Sequence, residues 1–214
     1  MENAILNEEN DVPARIARRT LAKRGADYAS EVRRLLDAAL ELMRQAGTTS
    51  RPRVADIVAA AGLSNEAFYR HFRSKEALVA ALLEDGTERL ARYVAHQMDK
   101  EPTPEGKVRR WVEGVLSQAR EETAATTLAV LWNGGSLGES FAFSRHAASV
   151  PLGALLHEPL ARLGSADPAM DASLAAHATV GKMSEHLWQR TTPSAAEADQ
   201  ITAFCLRAAA PRAS

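Results

Sequence analysis

Sulfur chemistry is nearly missing from this chain: Cys205 is its single cysteine, so neither an intrachain disulfide nor a cysteine-based metal cluster can form. Cys205 therefore reads as a small buried hydrophobe in a protein of a reducing compartment. Long apolar runs are missing too. No stretch reaches membrane-spanning length, and the polar, acidic N-terminus does not look like a secretory leader, so a cytoplasmic protein without a membrane partner is expected. The six histidines are scattered, with no His-Glu-x-x-His arrangement and no acidic or cysteine residue at metal-ligand spacing. Gly134, Gly135 and Gly138 cluster, but no phosphate-loop lysine follows them and no strand precedes them. These gaps argue against an enzyme: catalytic residues, metal ligands and cofactors are all expected to be none. No run with strand periodicity is convincing either, which leaves an all-α fold.

The formal net charge of -1 hides an uneven distribution. Residues 12–75 carry 13 Lys and Arg against 6 Asp and Glu, or +7, whereas residues 76–214 carry 13 against 17, or -4, and the first 11 residues another -4. A basic module joined to a mildly acidic body suits local binding to phosphates. At 214 residues the chain is long enough for a small domain fused to a larger one.

The basic module contains the most informative stretch, Arg53 to Leu78. Val54, Ile57, Val58 and Ala61 recur at three and four, the apolar face of a short helix, with Pro52 suited to its start. Gly62 supplies the left-handed stop, Leu63 an apolar plug, and Ser64 a cap for a second short helix set at an angle to the first. On that helix Phe68 and Phe72 share one side, leaving Ser64, Asn65, Glu66, Tyr69 and Arg70 toward solvent. Ser74 caps the next helix, with Glu76 in its first turn. Before the motif, Val32, Leu35, Leu36, Ala39, Leu40 and Met43 mark a bracing helix from Asp27 to Ala46, ended by Gly47.

Val54-x-Asp56-Ile57-Val58-x-x-Ala61-Gly62, Leu63-Ser64, Phe68-Tyr69-x-His71-Phe72 and Ser74-Lys75-Glu76-Ala77-Leu78 together resemble the DNA-binding domain of the tetracycline-repressor-like (TetR-type) regulators. The resemblance spans roughly residues 32–79, a quarter of the chain. It implies a homodimeric transcriptional regulator, with an N-terminal three-helix helix-turn-helix domain joined by a long helix to a helical ligand-binding and dimerisation domain. On the resemblance, Tyr69 and Lys75 look like phosphate contacts, Ser64 assists at the helix start, and Asn65, Glu66 and Arg70 face the base edges. Arg pairs with guanine, Asn with adenine and Glu with a cytosine amino group, whereas a phenol and an ammonium hold backbone oxygens. Glu66 and Ala67 depart from the small and hydroxylated residues common there in the family, so the operator sequence is not readable. His71 is open between packing and a bond to backbone.

Three segments follow: residues 1–26 as a flexible basic arm with Arg15, Arg18, Arg19, Lys23 and Arg24, 27–78 as the DNA-binding domain, and 79–214 as the effector and dimerisation domain. The arm either lies on DNA or is a solvated leader. A long helix from Ser74 to about Met98 bridges the domains, and Glu101-Pro-Thr-Pro-Glu-Gly breaks the chain after it. Further helices are expected over 107–118, 124–131, 145–163 (with Pro151 or Pro159 as a kink), 171–190 and 196–209.

If the resemblance holds, the body has a pocket for a small hydrophobic or aromatic effector, with Trp111, Trp132, Asn133, Phe141, Met183 and Trp188 as candidate contacts and Gln118, His146, His177 and Ser184 as further polar points. Trp and Phe at helical spacing are also what an ordinary core contains. Helices around 147–163 and 172–188 are the candidate four-helix dimer contact. The expected function is a repressor released from a palindromic double-stranded DNA operator by its effector. The alternative is a helical regulator or interaction module whose body binds a protein, which a closed, solvent-free centre would favour.

Overall fold

A computed structural model describes residues 12–135 and 149–209. The order of elements is α1 (Val12–Ala46), α2 (Val54–Ala61), α3 (Asn65–His71), α4 (Lys75–Met98), α5 (Pro104–Leu116), a 3-10 turn (Ser117–Ala119), α6 (Glu121–Gly134), α7 (His157–Arg162), α8 (Pro168–Gln189) and α9 (Ala195–Ala208). Residues 149–154 are helical as well, and the described residues contain no strand. The fold is all-α.

Local chemistry sets the boundaries. Thr103, Ser194 and Asp167 each accept a hydrogen bond from the backbone N–H three residues on, at 3.0–3.1 Å. Pro104 and Pro168 occupy the first helical positions, where the missing N–H costs nothing. The expected 145–163 helix falls in part outside the described residues. Within them the chain turns at 155–156, so that residues 149–154 and α7 are separate pieces, with Pro159 buried inside α7.

Two apolar clusters result. The N-terminal one gathers Leu35, Leu36, Ala39 and Met43 of α1, Ile57, Val58 and Ala61 of α2, Phe68 and Phe72, and Leu78, Val79 and Leu82 of α4. It also contains Ala129 and Val130, which belong to α6 of the body. The body cluster centres on Val94, Trp111, Val112, Val115, Leu116, Leu156, Leu160, Ala176 and Leu187. Fully burying one such large side chain contributes about 1.5–3 kcal/mol. α4 runs between the clusters, with Leu78 to Leu82 in one and Val94 and Met98 in the other.

Two arginines add polar ties across the same junction. The Arg51 guanidinium sits 4.7 Å from the centre of the Trp132 ring. Arg190 donates to the Thr48 hydroxyl at 3.1 Å, from a left-handed backbone (φ 55°) that stops α8. The loop between α1 and α2 is thus fastened to the ends of α6 and α8.

One difference from the sequence reading lies at the front. Residues 12–26, expected as an arm, are helical and continuous with α1. Their alanines and arginines favour helix, with Pro13 confined to the first turn, where it is tolerated, and Gly25 set against that preference. Residues 1–11 of the expected arm lie outside the described residues.

Candidate nucleic-acid interface and cavity

α2, α3 and the start of α4 build the exposed site. α2 stops where Gly62 adopts φ +62°, and the N–H groups of Gly62 and Leu63 return to Ala59 and Val58 at 3.1 and 2.9 Å. Arg34 closes the same end from outside, donating to the carbonyls of Ala61 and Gly62 at 2.5 and 3.0 Å. Ser64 then caps α3, its hydroxyl accepting from the Ala67 N–H at 3.1 Å. Ala67 and Phe68 anchor α3 inward, and Phe68 lies 5.8 Å from Phe72, centre to centre. With that face fixed, Ser64, Asn65, Glu66, Tyr69 and Arg70 are all exposed on the other.

Lys75 differs from these five. Its ammonium is half-buried and donates to the Pro52 carbonyl at 3.2 Å, tying the start of α4 to the start of α2. Arg70 is not loose either, since its guanidinium donates to the Glu31 carboxylate of α1 at 2.8 Å. The same carboxylate oxygen lies 2.6 Å from His71 Nε2. His71 has no exposed side-chain surface, and its ring meets the Tyr28 ring edge-on at 4.1 Å. It is therefore a packing and hydrogen-bonding residue. Hydrogen bonds from His71 and then Arg70 hold the Glu31 carboxyl below its ordinary range. Neither Glu31 nor Tyr28 was singled out in the sequence, because a contact across about 40 residues leaves no local spacing signal.

The body holds a cavity of about 420 Å³ between α4, α6 and α8. Leu82, Leu83, Gly86, Leu90 and Tyr93 supply the α4 wall, Thr123, Thr126, Thr127, Val130 and Leu131 the α6 wall, and Val180, Met183 and Ser184 the α8 wall. Leu40 of α1 closes it on the DNA-binding side.

Of the effector candidates read from the sequence, the structure places Met183 on this cavity. Trp111 is fully buried in the body core and donates to the Leu152 carbonyl at 2.8 Å. Trp132 lies under Arg51, Asn133 is buried and donates to the Ala129 carbonyl, and Trp188 is half-exposed on α8. Phe141 and His146 lie outside the described residues. Among the secondary polar points, Gln118 and Ser184 line the cavity, whereas His177 is exposed, its ring at the Ser149 hydroxyl and the Ser173 carbonyl. The threonines were missed, although Thr123, Thr126 and Thr127 at one, four and five share a helix face and break an otherwise apolar segment. Among the described residues no group of His, Cys, Asp or Glu could hold a metal, and no helix is long and apolar enough to cross a membrane.

A capped recognition helix with a polar outer face, braced by two helices and joined through a long fourth to a helical body, defines a DNA-binding transcriptional regulator of the helix-turn-helix class, not an enzyme. Residues 35–82 match the family described as bacterial regulatory proteins, tetR family. Solved structures agree in fold across most of the chain. RolR, crystallised with resorcinol, is 16% identical with a TM-score of 0.63, covering 88% of this chain and 91% of its own. The fatty acid degradation regulator FadR of Bacillus halodurans is 20% identical at 0.60, covering 82% and 94%. FadR of Bacillus subtilis, in complex with stearoyl-CoA, is 15% identical at 0.59, covering 82% and 97%. No protein of curated function matches the chain in sequence.

Proposed function

We infer that this regulator is a homodimeric repressor, released from a palindromic operator when a small hydrophobic or aromatic molecule enters the cavity between α4, α6 and α8. The observation that carries this reading is the cavity's position. Its walls include Leu82 and Val130, both members of the N-terminal apolar cluster, together with Leu40 of α1. A ligand pressing on those side chains shifts the same packing that orients α3. Relatives of this fold, RolR with resorcinol and FadR with stearoyl-CoA, hold small molecules. An open cavity, where a protein-binding body would have a closed centre, favours the effector reading over the partner-protein one.

In this reading residues 27–78 are the DNA-binding unit. Tyr69 and Lys75 hold phosphates, with Lys75 exchanging the Pro52 carbonyl for a phosphate oxygen, and Ser64 assists at the helix start. Asn65, Glu66 and Arg70 meet base edges. The basic residues of 12–26, on the projecting end of α1, add phosphate contacts beside the groove. A second recognition helix lies about 34–36 Å away across a two-fold axis. The exposed apolar surface of Val150, Met170, Leu174 and Trp188 supports pairing through the 149–154 helix and α8. Such a regulator works in the cytoplasm.

Selection from random duplexes followed by footprinting tests the DNA half, with a protected palindrome across two adjacent turns as the expected result. Operator affinity with and without a cavity ligand, at one fixed salt concentration, tests the release. Coupling of about 1–3 kcal/mol lowers affinity roughly five- to 150-fold, and equal affinities overturn the reading.

A further inference from the structure

We propose that the cavity selects an uncharged ligand, an apolar body carrying a hydroxyl or carbonyl group, and rejects carboxylates and acyl-CoA-type anions. This rests on the effector reading above and narrows it to a chemical class.

The lining has two parts. Leucine, valine and methionine supply nine of the eighteen lining residues, the surface that an apolar body fills. Against these stand Gln118, Thr123, Thr126, Thr127 and Ser184. Thr127 donates to the Gln118 carbonyl oxygen at 3.3 Å, which leaves the Gln118 amide nitrogen as the end a ligand oxygen can use. Threonine hydroxyls both donate and accept, so this wall suits a hydroxyl or a carbonyl. A pure hydrocarbon would cover this wall and offer the Gln118 amide nitrogen no acceptor.

Charge selection follows from what surrounds Arg89. Among the described residues that line the cavity, Arg89 alone carries a formal charge, and its guanidinium is already paired with Asp85 at 2.9 Å. Its side chain is 49% exposed, so it contributes its aliphatic stem to the wall and its head to solvent. Asp85 also takes Arg33 at 3.4 Å. A ligand carboxylate entering here finds no unshared cation, since Arg89 and Arg33 are both paired with Asp85, and it gives up its own hydration to do so. Phosphates of a CoA moiety meet the same obstacle. The cavity therefore differs in chemistry from a site for stearoyl-CoA, the ligand of the Bacillus subtilis relative.

The test uses the full-length protein without DNA and three probes of one shape: para-propylphenol, propylbenzene and para-propylbenzoate, measured by calorimetry near neutral pH. The phenol is expected to bind at least about tenfold more tightly than the hydrocarbon, roughly the factor that one retained polar contact gives, and the benzoate to give no measurable heat. Gly86→Leu places a side chain in the cavity from a helical position whose Cβ would meet nothing within 4 Å. That variant keeps its helical circular dichroism and loses phenol binding. Gln118→Leu combined with Thr127→Val brings the phenol down to the affinity of propylbenzene. A benzoate that binds as tightly as the phenol overturns the proposal, and so does benzoate binding that disappears in Arg89→Gln. Equal affinity for phenol and hydrocarbon, phenol binding that survives Gly86→Leu, or no binding by any probe also overturns it. Phenol binding that meets these expectations while operator affinity stays unchanged supports the ligand class and refutes effector release.

Discussion

Arg70 and Glu31 show how one ion pair can divide its role between folding and recognition. The Arg70 guanidinium, 2.8 Å from Glu31, has to share or leave that carboxylate to form a bidentate pair with guanine. In the proposed reading Glu31 aims Arg70 and lowers its pull on phosphate at large. Glu31→Gln is expected to raise affinity for an unrelated duplex several-fold while narrowing the gap between operator and non-operator DNA, as measured by titrating both at one salt concentration. Arg70→Ala is expected to cost about 1–3 kcal/mol on the operator and to relax selectivity at one base pair, whereas Tyr69→Phe weakens binding evenly across sequences. Glu31 also governs acid stability. Its carboxyl lies lower in the folded protein than in the unfolded chain, because His71 and Arg70 hydrogen-bond its charged form. The stabilisation is present above the ordinary carboxylate range and is lost as pH falls through the folded value. Urea titrations are expected to show a shallower fall in stability on the acid side in Glu31→Gln than in the parent. Cys205 has the opposite character: burial pushes its thiol up to about 11, so it stays protonated and inert near neutral pH.

At the scale of the element, two glycines make opposite predictions. Gly62 has φ +62°, and a Cβ there would meet Arg34 Nη2 at 2.9 Å. Gly62→Ala strains the left-handed backbone and pushes aside the arginine that caps α2, so destabilisation of about 1 kcal/mol or more is expected. Gly86 sits mid-helix in α4, where a Cβ meets open cavity. Gly86→Ala is expected to stabilise by about 0.5–1 kcal/mol, raising Tm by about 1–4 °C in a chain of this size. Thermal melts of both variants beside the parent check the pair of signs. Most elements could be read beforehand, because residues such as Ser64 and Ser74 start helices by local chemistry that needs no partner. The front of α1 could not, since basic character suits an exposed helix as well as an arm. Residues 149–163 could not either, because periodicity does not report where a helix turns.

Across the whole molecule, the N-terminal core is completed by Ala129 and Val130 of the body, and the Arg51–Trp132 and Arg190–Thr48 contacts fasten the α1–α2 loop to it. Domain boundaries drawn along the sequence therefore do not isolate an independent DNA-binding core. Trp132→Leu removes the cation–π contact and keeps an apolar side chain. It is expected to leave operator affinity within several-fold of the parent while reducing the change that a bound ligand causes, as read by operator titrations with and without ligand. Leu174→Glu places a charge on the exposed apolar face of α8, and sedimentation is expected to show a monomer that binds the operator far more weakly.

The order of residues by itself determined most of the helices and the capped helix-turn-helix, because these depend on neighbours within about four positions. It also determined that Phe68 and Phe72 turn inward while Tyr69 and Arg70 turn outward, since a 3.6-residue period allows no other division. The tertiary structure decided the rest. Large aromatics became ordinary core or surface and threonines became the cavity wall, because a cavity forms where packed helices fail to meet, and that depends on residues far apart in the chain.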